Sequence, residues 1–150
     1  MRVTFFGHAD FFEEERYEEI LLNLLEEKCN GKEVSFYLGE NGTFDRFAYT
    51  CAKKYKSKHP TAKLIFVTPY IEQAYLSARA PSYDETVFPN IESTPYPYRI
   101  PKRNEYMVKS ADLIITYVKR ETGGAYKTLK FAKKENKPVI NLVTDIKNPH

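Results

Sequence analysis

The sequence predicts an α/β fold: a single-domain, Rossmann-like, five-stranded parallel sheet with helices on both faces. Two observations carry that prediction. Short, nearly continuous apolar runs recur at residues 3–6, 34–38, 64–68, 113–118 and 139–143, which is how strands buried on both faces of a parallel sheet read. Between them lie stretches whose apolar residues repeat at three-and-four spacing, so β and α elements alternate along the chain. Right-handed crossovers restrict such a chain to a few strand orders, of which 3-2-1-4-5 is the expected one.

The first helix follows from Tyr17, Ile20, Leu21, Leu24 and Leu25 on one face, with Asp10 and Glu13 spaced as a capping box and Asn30-Gly31 as a stop. The second follows from Phe44, Phe47, Ala48, Cys51, Ala52 and Tyr55, with Thr43 as its cap. A third starts at Pro101, which a first turn tolerates, and runs to about Ser110. The fourth uses Ala125, Thr128, Leu129 and Ala132 and ends in lysines, suited to the negative end of the helix dipole. The whole chain, 1–150, reads as one domain without repeat or linker. The segment 69–100 breaks the alternation: it holds five prolines and five tyrosines, with a short helix expected at 71–79 and no period beyond it. A loop of that length in a compact domain points to a lid or an insertion.

At 150 residues, with 42% hydrophobic and 29% charged content, the chain has enough apolar surface for a core, which excludes a disordered chain. Cys29 and Cys51 have neither the spacing of a zinc site nor the number of a disulfide framework. No metal and no cofactor are expected. No run approaches the roughly 20 apolar residues needed to span a bilayer, and residues 1–10 lack the features of a signal peptide, so a cytoplasmic location without membrane contact is expected. The net charge of +3 neither demands nor forbids nucleic acid. The lysine-rich stretches 53–63 and 130–137 sit at helix C-termini, where dipole and solvation account for them, so nucleic acid is read as an unlikely partner.

In an open α/β sheet, ligands settle beyond the carboxyl ends of the strands where the order reverses. Here that is the crevice between the first and fourth strands, flanked by residues 7–10 and 119–124. Thr122, Gly123 and Gly124 lead into a helix whose free N–H groups favour an anion, and glycine lets backbone approach it. The second strand ends at Gly39, and Gly42 completes a tight turn that sets Asp45 in the first turn of a helix. Asp45 is placed either to accept hydrogen bonds from ribose hydroxyls, to serve an acid–base step, or only to favour the helix N-terminus. Glu40 is a second carboxylate on that loop. His8, after Gly7, is either a ligand contact or a structural histidine, and no second His or Cys nearby in sequence suggests a metal. Arg103 and Asn104 open the third helix, where the arginine could clamp a phosphate. Tyr70 leaves the third strand directly and is the candidate to stack on a base.

The stretches "FFGH", "GENGTFDRFAY", "PKRNEYM", "SADLIITYV" and "GGAYKTLKFAKK" resemble the SLOG superfamily. These Rossmann-like nucleotide-binding proteins include the LOG phosphoribohydrolases and the Smf-type DNA-processing proteins. The resemblance is to the small stand-alone type of Firmicutes and their phages and covers about residues 2–143. It implies a cleft for a nucleotide or nucleotide-derived ligand, and a possible homodimer. LOG enzymes cleave the N-glycosidic bond of nucleoside monophosphates; their arginine matches Arg103 and the first glycines of their PGGxGTxxE loop match Gly123-Gly124. The rest of that loop departs: Tyr126, Lys127 and Lys130 stand where glycine, threonine and the catalytic glutamate would be, and a one-residue shift recovers Thr128 but no glutamate. A lysine there would oppose the positive charge that glycosidic cleavage builds on the sugar; only Asp45, Glu40 or Glu121 could substitute. The expectation is therefore a nucleotide sensor or binding module. The alternatives are an N-glycosidase or deoxyribosyltransferase-like enzyme using Asp45, and a protein- or DNA-interaction module.

Overall fold

The computed structural model describes residues 1–146, so the last four residues of the expected 1–150 domain lie outside the described ones. Strands β1 (Arg2–Gly7), β2 (Ser35–Leu38), β3 (Lys63–Val67), β4 (Glu85–Val87), β5 (Leu113–Tyr117) and β6 (Val139–Asn141) alternate with helices α1 (Glu14–Cys29), α2 (Thr43–Lys58), α3 (Gln73–Arg79), α4 (Arg99–Ser110) and α5 (Gly123–Lys134). The strands form a parallel sheet of order β4-β3-β2-β1-β5-β6. The sheet thus has six strands and not the expected five, although the five expected strands keep their expected order. The extra strand, β4, lies inside the segment 69–100 at the edge of the sheet. Its Glu85 and Thr86 are exposed, so it has no apolar run to betray it. What holds it is Asp84: its N–H donates to Leu64 O at 2.8 Å, and its Oδ2 accepts the Leu64 N–H at 2.8 Å. Lys56 Nζ also donates to that carboxylate.

Side chains alternate across the sheet, so each strand feeds two cores. Phe5, Phe36, Leu38 and Leu64 pack with Leu21, Leu25, Phe44, Phe47 and Cys51 of α1 and α2. Phe6, Tyr37, Ile65 and Ile114 pack on the other face with Met107, Val108 and Ala132 of α4 and α5. No helix among the described residues is long and apolar enough to cross a membrane.

Three helix starts differ from expectation, each because a side chain finds a distant partner. Asp10 and Glu13 form no capping box: α1 begins at Glu14 without a side-chain cap, while Asp10 pairs with Arg120 at 2.8 Å and Glu13 with Lys119 at 2.8 Å. Thr43 does not cap α2. Its hydroxyl donates to Ala9 O and Phe11 O at 2.8 and 2.7 Å, and Gly42 takes the cap position with φ +105°. Helix α4 starts at Arg99, two residues before Pro101, because a short turn at Tyr96–Tyr98 runs into it.

The glycine ending β1 is required by contact. A Cβ on Gly7 would overlap the Phe44 ring and stand 2.7 Å from Phe44 Cβ. Close approach of α2 to the end of β1 is therefore built on the absence of that atom. Replacing Gly7 by Ala is expected to destabilise the fold by about 1–3 kcal/mol, and by less in a Phe44→Ala background, where the ring is gone. Urea unfolding of the four variants of that cycle measures both effects.

Candidate functional site

Beyond the carboxyl ends of β1 and β5, where the strand order reverses, lies a cavity of about 710 Å³. The loop after β1 contributes Gly7, His8, Ala9 and Asp10, and the β2–α2 turn contributes Asn41 and Asp45. The start of α4 contributes Ile100, Pro101, Asn104 and Glu105. From the β5–α5 loop and α5 come Arg120, Thr122, Gly123, Gly124, Lys127, Thr128 and Phe131.

Gly123 takes φ +87°, a conformation that disfavours other residues. A Cβ at Gly123 or Gly124 would meet nothing within 4 Å, so packing does not account for the pair, and the space beside the first turn of α5 is open. Thr122 precedes the helix in extended conformation, its side chain making no capping bond. The leading N–H groups of α5 thus border the cavity with the positive end of the helix dipole.

His8 is 5% exposed, and its Nε2 accepts the N–H of Lys119 at 2.9 Å and that of Arg120 at 3.3 Å. An imidazole nitrogen that accepts carries no proton, so the ring is the neutral Nδ1–H tautomer. Burial, helped by the Arg120 charge, pushes its pKa down and keeps it neutral. His8 therefore fastens the two loops that flank the crevice, and its Nδ1–H has no protein partner among the described residues.

Asp45 is 9% exposed. Its Oδ2 accepts the Asn41 N–H at 2.6 Å, while Oδ1 has no partner among the described residues. Burial raises its pKa to about 6, against the lowering effects of the Asn41 N–H and the nearby Arg103 charge. The group changes protonation close to neutrality, where a carboxyl can serve as donor or acceptor of a proton.

Four expected ligand contacts do not line the cavity. Arg103 is 1% exposed; its Nη1 donates to Gly39 O at 2.9 Å and Val67 O at 2.6 Å, and its Nε donates to Asn104 Oδ1 at 3.0 Å. It is an internal strut between α4 and the ends of β2 and β3, with no reach to a phosphate. Gly39 lies beneath it: a Cβ there would stand 3.1 Å from Arg103 Nη2 and 3.3 Å from Asp45 Oδ2. Gly42 is needed for its turn and for Ala9, whose Cα would lie 2.6 Å from an added Cβ. Tyr70 turns away to stack on Tyr96, ring centroids 5.2 Å apart.

Sequence reasoning missed Phe6, Ile100, Glu105 and Phe131 among the lining residues, and it gave Asn41, Lys127 and Thr128 no ligand contact. Along α5, positions 124, 127, 128 and 131 share a face by helical spacing, so the glycine pair already implied which residues would continue the wall. Ile100 and Glu105 of α4 carried no such signal, because their place depends on how Arg103 docks the helix.

The titration of Asp45 has a sign that stability can read. Its folded pKa lies above the ordinary aspartate value of 3.8, so the native state binds the proton more tightly and loses stability as pH rises from about 4 to about 6. The stability of Asp45→Asn relative to the natural chain is expected to rise by about 3 kcal/mol across that window. Denaturant titrations of both chains at pH 4, 5, 6 and 7.5 test it; a pH-independent difference would contradict the raised pKa.

No protein-family model matches the chain, and no curated protein matches it significantly. Solved structures do. DNA processing protein A (DprA) from Streptococcus pneumoniae aligns with TM-score 0.66 and 17% identity over 92% of this chain and 48% of that one. The protein TM1055, a structural-genomics target, aligns with TM-score 0.62 and 15% identity over 96% of this chain and 75% of that one. DNA processing protein A from Helicobacter pylori, described for its single-stranded DNA binding mode, aligns with TM-score 0.63 and 15% identity over 93% and 63%. The chain thus spans about half the length of the first and less than two thirds of the last. These likenesses correct one expectation: nucleic acid cannot be set aside as a partner, since a protein of this fold is described by the single-stranded DNA it binds. Lysine at helix C-termini is compatible with phosphate contact as well as with solvation. The likenesses carry no distinction of a Firmicutes or phage type; they are of fold alone, an α/β, Rossmann-like one with a parallel sheet.

Proposed function

We propose that the chain binds a nucleotide or nucleotide-derived ligand in the cavity at the carboxyl ends of β1 and β5, as a sensor or binding module. The observation that carries this reading is the side-chain-free start of α5, with Gly123 and Gly124 facing open space. An anionic group is the natural occupant of such a helix start. Asp45 and His8, nine-tenths buried and each with an unpartnered polar atom, add a second reason to expect a polar occupant. Thr122, Gly123 and Gly124 would hold the anion, Asn104, Asp45 and His8 the polar middle of the ligand, and Ile100, Pro101 and Phe131 a heterocycle. In this reading the chain is a cytoplasmic domain, which suits its two free, buried thiols, Cys29 and Cys51.

A second reading, an N-glycosidase acting on the same ligand, is favoured by Asp45, whose pKa of about 6 and unpartnered Oδ1 suit an acid–base step. Against it stands Lys127 in the cavity wall, which would oppose the cationic character of a sugar losing its base.

The test is to incubate the protein with nucleoside monophosphates, dinucleotides, cyclic nucleotides and a short single-stranded oligonucleotide, and to analyse retained and free species by mass spectrometry. Retention of an intact nucleotide is the expected result. Free base with sugar phosphate, absent for Asp45→Asn, would instead establish the glycosidase, and retention of nothing would refute both readings. Gly124→Glu places a carboxylate where the anion would sit, in space that accepts a side chain. It is expected to leave the melting temperature within about 2 °C and weaken nucleotide binding by at least about tenfold through like-charge repulsion.

A further inference from the structure

We infer that the cavity is gated by protons at His8: the neutral ring holds the β5–α5 loop that presents the start of α5, and the charged ring releases it, so acidification expels the ligand. The inference rests on the anion-binding reading above and adds the means by which that site is regulated.

The loop between β5 and α5 has few ties of its own. Of the N–H groups of residues 119–122, only those of Lys119 and Arg120 find a partner among the described residues, and that partner is His8 Nε2, at 2.9 and 3.3 Å. The ring is fixed from behind. The His8 N–H donates to Tyr117 O at 3.3 Å, its carbonyl accepts the Phe11 N–H at 3.2 Å, and its ring stands edge-on to that of Tyr117 with centroids 6.0 Å apart. One nitrogen lone pair thus fixes two consecutive peptide groups just before Gly123, whose φ of +87° opens α5. Two ion pairs, Asp10–Arg120 and Glu13–Lys119, also cross between the loops. They join the ends of half-exposed side chains, which contributes little and does not orient the backbone.

An acceptor nitrogen that gains a proton becomes a donor, and here it would face two N–H donors. Both nitrogens of the charged imidazole donate, so turning the ring over restores no acceptor. The surrounding charges favour the neutral state on balance. Burial is the largest influence, and Arg120 and Lys119 on the loop add to it, holding the ring below the ordinary histidine value of 6.5. Asp10, on the ring's own loop, acts the other way, but it is engaged by Arg120 at 2.8 Å. Glu13 is engaged by Tyr117 and Lys119, while Asp45, Glu105 and Lys127 border the same cavity from α2, α4 and α5. The unfolded ring therefore accepts a proton that the folded ring resists. The latch is complete above pH 6.5 and is lost as pH falls through the lower folded value. A bound anion would attract the charged ring through hydrated space, whereas loss of the acceptor acts at contact.

The experiment follows the ¹⁵N-labelled amides of Lys119, Arg120, Gly123 and Gly124 by nuclear magnetic resonance from pH 7.5 to pH 4.5, in the natural chain, His8→Gln and His8→Ala. Glutamine sets an oxygen acceptor near the place of Nε2 and has no proton to gain in this range. The four amides of the natural chain are expected to shift together with one midpoint below pH 6.5, and those of His8→Gln to show no such transition. His8→Ala, without an acceptor at any pH, is expected to show the acid-form signals already at pH 7.5. Sulfate, whose charge is constant over this range, serves as the anion probe. Relative to His8→Gln, the natural chain is expected to lose about tenfold or more in sulfate affinity between pH 7.5 and pH 4.5. Asp45 titrates in the same range but is present in both chains, so the comparison cancels it. Amides without a common transition, or with the same transition in His8→Gln, overturn the latch and the gating with it. A transition in the natural chain alone, with sulfate affinity changing alike in both chains, overturns the gating and leaves the anion reading intact. No sulfate binding at either pH, by a chain that shows the full amide transition, overturns the anion reading and the gating while the latch stands.

Discussion

One buried guanidinium holds the site-bearing end of the sheet in place. Arg103 has almost no contact with solvent, yet it carries a charge that interior burial opposes and that pulls its pKa down. It is tolerated because two strand-end carbonyls, Gly39 O and Val67 O, and the Asn104 side chain surround it, and because the Asp45 charge is near. Several features follow from this one residue. Position 39 has room for no side chain without displacing Arg103. Helix α4 is docked onto β2 and β3 at a fixed depth, which decides which of its residues face the cavity. Asp45 gains a cation that only partly offsets its desolvation, so it titrates near neutrality instead of at an ordinary carboxylate value.

The opposite wall is organised by different chemistry. The β1–α1 and β5–α5 loops are joined by the His8 ring accepting two backbone N–H groups, and by two ion pairs, Asp10–Arg120 and Glu13–Lys119. The Tyr117 hydroxyl also donates to Glu13. Arg120 and Lys119 are about half exposed, and pairs of that kind contribute little to stability. Their consequence is electrostatic: Lys119 and Arg120 already face carboxylates, and the leading N–H groups of α5 and Lys127 are the other positive features beside the cavity.

The segment 69–100 is tied down at several points. Arg99, 8% exposed, donates to Thr94 O at 3.0 Å, Glu92 O at 3.1 Å and Pro69 O at 3.5 Å, closing the segment onto itself. Its guanidinium also lies 4.9 Å from the centre of the Tyr96 ring, which stacks on Tyr70. Tyr70, the base-stacking candidate of the sequence, is thus used on Tyr75 and Tyr96. Arg99 and Arg103 stand one helical turn apart on α4, so the same face that docks the helix on the sheet also fastens this arm.

Sequence alone determined the alternation of elements, the relative order of five strands and the place of the crevice that Gly7, His8, Asp45 and Gly123-Gly124 border. All of these follow from periodicity, from handedness and from residues that no ordinary turn requires. Tertiary structure alone decided what lacks local signal. Strand β4 is exposed and held by the Asp84 carboxylate, so no apolar run announces it. Whether Arg103 meets ligand or carbonyls depends on the depth at which α4 packs, which no spacing within the helix encodes. The free atoms of Asp45, Asn104 and His8 are known only once their other atoms are seen to be occupied, by partners 4, 1 and 111 to 112 residues away. Local pattern fixes where a side chain starts, whereas hydrogen-bond competition among groups brought together by folding decides what it has left to offer.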